Sequence, residues 1–506
     1  MTSDAAQARV PARTDIASPR GAWLWGALIA YGIILAVLVG AAPGGSDGSG
    51  YFNEARLFSR LTIHEPLRDL PSLPARTAPP YLYNPLGFRP AADGTARLVP
   101  TYPPGLPIML ALAARIVGWR HAGDAVLLLH SLAGLALAFA LGRLFGLSRW
   151  WSLAGAALLA ASPLYLFMSL WAMSDVPAMV YATAAVICAW KSKEKVLWAL
   201  GAGACAGIGF LIRPSNFLIA APLIIAIGVS PRRLLMILFG GIPWVAAWMA
   251  INHRAYGGFL ESGYGAIGDE FHGSLVVGTL GFILRWLPIV LSPLVVVAPA
   301  IVAYLGSRTR VAAVLTVWVA VYIAFYAPYR WTHAEWWFLR FLLPAAPALM
   351  VAGLIVVQGM FGAVEGYFSR RAAVGILAVL FLMSLAVEAK HIRPLHAWSI
   401  GHGEEKYGRV AAWLNANAPA NSAIVAEQFS GATYYFTRFV LIRSNELNDG
   451  TAEQVQRALR SERRPVYAVT FPLEQKIMKE LPGNWVHVAS VEDVTIWRGD
   501  WGDPGK

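Results

Sequence analysis

The sequence predicts a polytopic α-helical membrane protein with about eleven transmembrane helices, helices lying in the outer interface, and a small C-terminal α/β soluble domain. Hydrophobic residues make up 57% of the 506 residues and charged residues only 14%, and the mean hydropathy is +0.53. The apolar residues form blocks of about 16–22 residues, which is the length that crosses a membrane. An ordinary soluble enzyme, with about 25% charged residues, is therefore excluded.

The excess positive charge indicates contact with membrane lipid. The formal net charge is +12, and the basic residues form short clusters between apolar blocks, as in cytoplasmic loops beside anionic lipid. No basic stripe of the kind that binds nucleic acid is present, so no nucleic-acid partner is expected. Cys188 and Cys205 lie inside apolar blocks, so cysteine provides neither a disulfide framework nor a zinc site.

The first apolar block, 22–42, follows a polar N-terminus that carries Arg9, Arg13 and Arg20. It exceeds the apolar core of a signal peptide, which is about 7–15 residues long. We therefore expect an uncleaved transmembrane helix whose basic end lies in the cytoplasm.

Ten further blocks are expected to cross the membrane, and one is expected to lie in the outer interface. The interfacial block, 103–119, begins at two prolines and is apolar for only about 14 residues. With it excluded, alternation of the spans puts every basic cluster between them on the cytoplasmic side, as the positive-inside rule requires. The predicted spans are 124–145, 150–170, 176–190, 196–213, 214–229, 234–251, 286–306, 311–327, 341–360 and 372–388, and the clusters are Arg143/Arg149, Lys191/Lys193/Lys195, Arg232/Arg233, Arg308/Arg310 and Arg370/Arg371.

This arrangement divides the chain into a membrane module, 1–388, with a first outer loop at 43–123, and an extracytoplasmic α/β domain, 389–506. Within the loop, 43–102 is rich in Pro, Gly and Arg and should carry short interfacial helices and no compact domain. The C-terminal segment is long enough to bury its own core. Its predicted helices are 404–419 and 452–462, and its predicted strands are 422–429, 465–471, 485–490 and 493–499.

Two acidic residues lie at outer ends of spans. Asp47 is in a glycine-rich turn just after the first span, with Glu54 one or two helical turns further on. A carboxylate there can act as general base on a hydroxyl, or it can simply cap a helix or remain solvated. Asp175, in SDVPA at 174–178, suits a helix start as well as a site, and the two readings are compatible.

Arginines at the outer face run against the positive-inside trend. Arg213, Arg254, Arg330 and Arg340 suit a phosphate, which guanidinium groups bind by paired hydrogen bonds; each alone can equally reach lipid headgroups. His333 and Glu335 are only two candidate ligands, which does not make a metal site. The glycine-rich loop 252–272, which contains Glu261 and Tyr264, can be a lid or a connector.

Together these residues resemble the GT-C glycosyltransferases, polytopic enzymes that take a sugar from a polyprenyl-phosphate carrier at the outer membrane face. The likeness is greatest to the branch with the protein O-mannosyltransferases and the aminoarabinose transferase of lipid A. It extends over the order of elements in nearly the whole chain. The matching residues are Asp47, Tyr51 and Ala55 after the first span, TYPPG at 101–105, SDVPA at 174–178, LIRPSN at 211–216, GGFLESGYG at 257–265 and LRFLLPAAP at 339–347.

The resemblance implies specific roles. Asp47 corresponds to the base that deprotonates the acceptor hydroxyl, and Arg340 is the first choice for binding the leaving phosphate, ahead of Arg330 and Arg213. No cofactor is required when arginine supplies the positive charge, and no metal site is predicted. The implied substrate pocket comprises Tyr51, Glu54, Tyr102, Asp175, Glu261, Tyr264 and His333.

The implied function is inverting transfer of a sugar from a polyprenyl-phosphate donor to an acceptor hydroxyl on the extracytoplasmic face. The expected location is a bacterial inner membrane, with the N-terminus cytoplasmic and the C-terminal domain periplasmic. Asn53-Glu54 stands where close relatives often have two adjacent acids, which leaves a lipid, glycan or protein acceptor open. The alternative is a transporter or flippase of a lipid-linked saccharide. Acids and arginines at one face favour an enzyme, since transporters place charges near the midplane.

Overall fold

The computed structural model describes residues 22–40, 42–265, 267–306, 309–364 and 369–501. Arg9, Arg13, Arg20 and Arg308, which entered the predicted charge pattern, lie outside the described residues. From the N-terminus to the last long apolar helix the described chain is mainly helical. The helices are α1 Ala22–Leu38, α2 Ser46–Ser59, α3 Gly105–Val117, α4 Ala122–Leu144, α5 Arg149–Ala161, α6 Pro163–Leu170, α7 Asp175–Lys191, α8 Leu197–Ile212, α9 Ala220–Ile227, α10 Pro231–Tyr256, α11 Val276–Val290, α12 Ile301–Leu305, α13 Arg310–Tyr326, α14 Ala346–Val364 and α15 Arg370–Ile392.

The chain is an integral membrane protein. Within the described ranges, five helices are long and apolar enough to cross a membrane, or six when the bent pair α5 and α6 is one span. The five are Ala122–Leu144, Pro231–Tyr256, Gly273–Val290, Trp336–Gly362 and Val374–Ile392. Other apolar helices have 10–17 residues and reach span length only if continued by non-helical residues. The figure of about eleven spans therefore stays a prediction.

The predicted block 150–170 is two helices that meet at 63°. Ser162 ends α5 and caps α6 by accepting a hydrogen bond from the Tyr165 backbone N–H. Pro163 follows at the first position of α6, where its missing N–H costs nothing, whereas in the middle of one continuous helix it would break the hydrogen-bond ladder. The serine-proline pair is thus the cause of the bend.

The predicted span 286–306 is wrong in its boundaries. The helix here, α11, begins ten residues earlier at Val276 and ends at Val290. It is followed by two short 3₁₀ segments, Pro293–Val296 and Ala298–Ala300, before α12. Proline at the start of each segment cannot donate a backbone hydrogen bond, so this apolar stretch does not continue as one α-helix.

The first outer segment contains more than the expected interfacial helices. Besides α2 and α3 it forms an antiparallel three-stranded sheet in the order β1-β3-β2. The prediction of helices alone was therefore incomplete. A proline ends each of these three very short strands, which keeps the sheet small. The strands are β1 Glu65–Pro66, β2 Phe88–Pro90 and β3 Arg97–Pro100.

After α15 the chain forms a five-stranded mixed sheet in the order β5-β4-β6-β8-β7. Strand β4 pairs in parallel with β5 and β6, whereas β8 pairs antiparallel with β6 and β7. The elements are α16 Ile400–Glu404, α17 Lys406–Asn417, β4 Ala423–Ala426, α18 Ser430–Phe436, β5 Val440–Arg443, α19 Asp449–Ser461, β6 Val466–Thr470, α20 Ile477–Glu480, β7 Trp485–Val491 and β8 Val494–Gly499. Each predicted strand and helix of this segment corresponds to one of them.

The C-terminal sheet shares its core with the first outer segment. Leu57 and Phe88 pack in one apolar cluster with Ile424 of β4. On the other side of the sheet, Leu70 and Leu82 pack with residues of β4, β5 and β6. The core that the C-terminal segment buries is thus extended on both sides of the sheet by a few apolar residues of the outer loop. The packing brings the outer loop and the C-terminal segment together over one end of the helices.

Candidate active site

Asp47 lies in the first turn of α2 and not in the predicted glycine-rich turn. The N-cap position is Gly45, at φ 55°, and no side chain caps this helix, so the Asp47 carboxylate is free for tertiary contacts. Its Oδ1 accepts a hydrogen bond from the Tyr102 hydroxyl at 2.7 Å, and its Oδ2 accepts one from Arg340 Nη2 at 3.2 Å. The positive end of the α2 dipole also favours the carboxylate. Asp47 is thus held by groups from distant parts of the chain.

Glycine makes room for the tyrosine that binds Asp47. A Cβ at Gly50 would come within 3.1 Å of Gly87 Cα and would overlap the Tyr102 ring. Gly87 itself has φ 88°, a conformation that other residues rarely adopt. The two glycines therefore let the end of β3 approach α2, which brings Tyr102 within reach of Asp47.

Arg340 is a buried cation at the N-terminal end of an apolar helix. Only 7% of the residue is exposed, and aromatic rings surround the guanidinium. Besides the bond to Asp47, its atoms Nε and Nη1 have no hydrogen-bond partner among the described residues. Buried donors without a partner are costly, at about 1–3 kcal/mol each and more for charged groups. The rings are Trp171, Trp337, Phe338 and Phe341, with centroids at 5.7, 5.1, 5.5 and 5.5 Å from Cζ.

The charge of Arg213 is neutralised by a carboxylate of the protein. It forms an ion pair with Asp175, the first residue of α7, whose side chain is 1% exposed. Ser174 makes no capping bond to α7 and instead accepts a hydrogen bond from the Tyr51 hydroxyl at 3.2 Å. This pair therefore links α7 and α8 to α2 beside the Asp47 cluster.

The LIRPSN segment is locked in place by side chains that the sequence did not single out. Tyr326 donates to Ser215 Oγ at 2.6 Å, and Tyr322 donates to Asn216 Oδ1 at 2.8 Å. Asn216 in turn donates to the Ala178 carbonyl at 3.0 Å. In the sequence, the two tyrosines one helical turn apart on α13 could have indicated a polar contact on one face of this helix. Their partners could not be predicted, because they depend on the packing of α13 against α9.

Three tyrosine rings lie close together near Asp47. The Tyr51 and Tyr102 rings are 4.7 Å apart, and Tyr264 meets the edge of Tyr102 at 6.1 Å. Burial raises the pKa of Tyr51 and Tyr102 well above the usual tyrosine value, and the Asp47 charge adds to the effect. Both phenols therefore stay protonated at neutral pH and act as hydrogen-bond donors.

Glu54 is a buried carboxyl near the middle of α2. It lies two turns after Asp47 on α2 and is 2% exposed. Its Oε2 atom has no hydrogen-bond partner in the described chain. Burial raises its pKa well above the ordinary glutamate value and so favours the protonated form.

The remaining predicted site residues lie elsewhere. Arg330 forms an ion pair with Glu270 at 2.9 Å and is half exposed, and His333 Nδ1 is 3.1 Å from Thr279 Oγ1. Glu261 is exposed in the loop after α10. No hydrogen bond or ion pair of the described residues joins these three to Asp47 or Arg340. In the same described ranges, no group of three His, Cys, Asp or Glu side chains could hold a metal ion.

Solved structures with the same architecture exist despite low sequence identity. ArnT from Cupriavidus metallidurans in the apo state matches with a TM-score of 0.59 and 13% identity, over 95% of this chain and 98% of that one. The same protein bound to undecaprenyl phosphate matches with a TM-score of 0.58 and 12% identity, over the same shares of both chains.

The chain shares the fold of ArnT. Arabinofuranosyltransferase AftD from Mycobacteria is similar at a TM-score of 0.45 and 14% identity, over 95% of this chain and 41% of that one. No protein-family profile matches the sequence. No curated protein matches it either. At 12–13% identity the likeness to ArnT concerns the fold alone and does not establish an activity.

The structure also brings a residue to the site that sequence reasoning missed. Glu404, at the end of α16, is 9% exposed and lies against Gly44, directly before α2. Burial raises its pKa to about 7, Lys406 and Trp171 oppose the rise, and the Asp47 charge adds to it. Nothing in the sequence marked it, because two adjacent glutamates before a lysine look like an exposed helix start.

We expect Glu404→Gln to flatten the dependence of stability on pH. With a folded pKa of about 7 against an ordinary value of 4.5, the proton is bound more tightly in the folded state. The contribution is therefore complete below pH 4.5 and is lost as the pH rises to about 7, which amounts to about 3 kcal/mol. Melting temperatures in detergent at pH 5 and pH 8 measure the effect.

The control is Glu405→Gln, which changes the neighbouring carboxylate, 42% exposed. It should keep the loss of melting temperature that the wild type shows between pH 5 and pH 8. An unchanged loss in Glu404→Gln would contradict the assignment of that titration to Glu404.

Proposed function

We propose that this protein is a membrane glycosyltransferase that moves a sugar from a polyprenyl-phosphate-linked donor to an acceptor hydroxyl. Asp47 acts as the general base, and Arg340 binds the leaving phosphate. The reaction takes place at the extracytoplasmic face and inverts the anomeric carbon. Its location is a bacterial inner membrane, with the N-terminus in the cytoplasm.

The observation that carries the proposal is the position of Arg340. One of its nitrogens donates to Asp47, and two more, Nε and Nη1, are buried donors with no partner among the described residues. A phosphate monoester has the charge and the acceptor oxygens to satisfy both. In this proposal the Arg340 side chain contacts both the base and the phosphate, which fixes the distance between them.

The bound form of ArnT supports the choice of carrier. That protein, which shares the fold, is known with undecaprenyl phosphate bound. In this chain the aromatic rings of Trp171, Trp337 and Phe338 surround Arg340 near a membrane face, where such rings prefer to lie. Because the two free nitrogens are inaccessible, admission of a phosphate requires these rings to move.

The chemical step is a single displacement. The acceptor oxygen attacks the anomeric carbon as its proton passes to an Asp47 carboxylate oxygen. The bond between the anomeric carbon and the phosphate oxygen breaks, and its electron pair leaves with the phosphate. Arg340 stabilises that developing charge. The phosphate needs no general acid, so one carboxylate is sufficient.

The other predicted site residues take supporting roles in this scheme. Tyr102 orients the Asp47 carboxylate, and Tyr51, held by Ser174, forms one wall of the pocket. Arg213 and Arg340 each pair with one carboxylate, Asp175 and Asp47. Arg213 ranks behind Arg340 as a phosphate ligand because only Arg340 also has two buried donors without a partner among the described residues. Arg330 ranks behind as well, since Glu270 neutralises it at a half-exposed position. Glu261, Tyr264 and His333 remain proposed members of the pocket.

The test uses proteoliposomes that contain the wild-type chain and a panel of polyprenyl-phosphate sugars presented on either side of the bilayer. We expect donor consumption and a glycosylated product, with the anomeric configuration inverted relative to the donor. Donor that crosses the bilayer unchanged, with no product from any sugar, would instead identify a transporter of lipid-linked saccharides.

A further inference from the structure

A cavity lies between the C-terminal half of α2 and the C-terminal sheet segment, and Asp47 is not among its lining residues. Its volume is about 920 Å³, within the range of roughly 300–1,000 Å³ that ligand sites occupy. Its lining residues come from α2, the first outer segment and the chain after α15. None of them belongs to a helix that is long and apolar enough to cross a membrane. The cavity thus faces the aqueous side and not lipid.

The wall of this cavity is strongly positive. It contains the arginines Arg56, Arg60, Arg68 and Arg438 and a single acidic residue, Glu65, so the four positive charges and one negative charge leave a net +3. Glu65 lies 4.0 Å from Arg60 and 3.9 Å from Arg68, which is too far for a hydrogen bond. Most of this charge therefore lacks a partner within the cavity wall.

Two of the arginines are held rigidly. Arg56 donates to the Tyr435 carbonyl at 2.5 Å, and its Cζ lies 3.3 Å from the centroid of the Tyr435 ring. Arg68 donates to the carbonyls of Tyr434 and Thr437 at 3.0 and 2.8 Å. Neutral carbonyls and rings position these guanidinium groups without cancelling their charge. A preorganised cation of this kind favours binding of an anion.

The other two arginines are available to a ligand. The Arg60 side chain is 64% exposed, and Arg438 is exposed. No ion pair among the described residues involves Arg438. Arg60 follows the end of α2, and Arg438 precedes β5. They can therefore adjust to an oxyanion that enters the space between the two segments.

The cavity and Asp47 are connected by one rigid element. Arg56 is nine residues after Asp47 on the same helix, which corresponds to about 13 Å along the axis. A chain of a few sugar rings spans such a distance. Because nine residues turn a helix by about two and a half turns, Arg56 and Asp47 lie on opposite faces of α2. An acceptor bound in the cavity would therefore have to pass around this helix to reach the base.

We propose that this cavity binds an acidic oligosaccharide, one that bears carboxylate or phosphate groups. Its role as the acceptor site rests on the proposed transferase function, whereas the binding itself does not. The positive wall selects the charge, the aqueous position selects a soluble glycan over a membrane headgroup, and the volume limits the bound segment to a few rings.

The test is direct binding to the purified full chain in detergent, measured by fluorescence polarisation with labelled tetragalacturonate. Neutral maltotetraose, labelled in the same way, is the ligand control. The variant R60Q/R438Q removes the two exposed arginines and keeps the packed ones. Its matched control is R457Q/R460Q on α19, which lowers the net charge equally at exposed positions outside the cavity.

We expect the wild type and R457Q/R460Q to bind tetragalacturonate with similar affinity, and R60Q/R438Q to bind about tenfold more weakly. Maltotetraose should bind to none of them. Equal affinity for the two tetrasaccharides, or equal affinity in the two variants, would overturn the proposal. In a competition assay, displacement of the labelled ligand by inorganic phosphate and by unlabelled tetragalacturonate at equal concentrations would show that the site binds anions in general. That result would also overturn the proposal. Because no turnover is needed, failure here is distinguishable from failure of the transferase.

Discussion

Asp47→Asn is expected to lower the rate of sugar transfer by about 10³-fold while donor binding is retained. Asparagine has the same shape as aspartate and still presents one acceptor oxygen to the Tyr102 hydroxyl or to Arg340. It cannot take a proton from the acceptor, and loss of a general base costs about 10²–10⁴-fold. Single-turnover rates and donor binding, measured on the same preparation, separate the two effects.

Asp449→Asn is the matched control for this change. Asp449 is exposed and lies, like Asp47, in the first turn of a helix, but it belongs to α19 of the C-terminal sheet segment. Its transfer rate should equal that of the wild type. If Asp47→Asn retained the wild-type rate at matched expression, the carboxylate would play no part in the chemistry. The contacts of Asp47 with Tyr102 and Arg340 would then serve only to stabilise the fold.

Arg340→Gln is expected to weaken both donor binding and transfer, the latter by about 10²–10³-fold. The change removes the two unpartnered nitrogens that the phosphate would bind, together with the bond to Asp47. It also removes a buried cation beside the Asp47 carboxylate, so the folded protein should lose stability. Binding of undecaprenyl phosphate, the steady-state rate constants and the melting temperature are the measurements.

Arg330→Gln is the control that tests the ranking of the arginines. Arg330 is half exposed and paired with Glu270, so we expect donor affinity close to that of the wild type. A larger loss of donor binding in Arg330→Gln than in Arg340→Gln would move the phosphate site toward the 330–333 segment. Arg340→Lys is expected to lie between the wild type and Arg340→Gln, since an ammonium retains the charge but not the forked geometry.

Local patterns predicted the membrane helices and the C-terminal strands. Hydropathy locates most apolar helices to within a few residues, and the sequence motifs around Asp47, Tyr102 and Arg340 indicate these residues as candidates. Errors occurred where a serine or proline interrupts an apolar block, as at Ser162 in the bend between α5 and α6 and at Pro293 after α11. Hydropathy is insensitive to a single missing backbone donor.

The environment of each charge depended on tertiary packing. Amino-acid composition does not distinguish Arg213, Arg330 and Arg340. In the structure Arg213 pairs with Asp175 and Arg330 with Glu270. Arg340 pairs with Asp47 and has two further donors without a partner among the described residues. The Arg340 contact joins residues 293 positions apart in the chain. No local pattern encodes which of several outer-face arginines will be brought to a given carboxylate.

Glu404 is a site residue whose local structure follows from the sequence but whose burial does not. Its own sequence context predicts an exposed helix start, and helix α16 does form there. Its burial against Gly44 follows from the return of the chain after α15 to the end of α1. Residue type and periodicity act over a few residues and therefore determine spans, strands and candidate groups. Which groups become neighbours, and which charges stay unpaired, is decided by the packing of segments that are hundreds of residues apart.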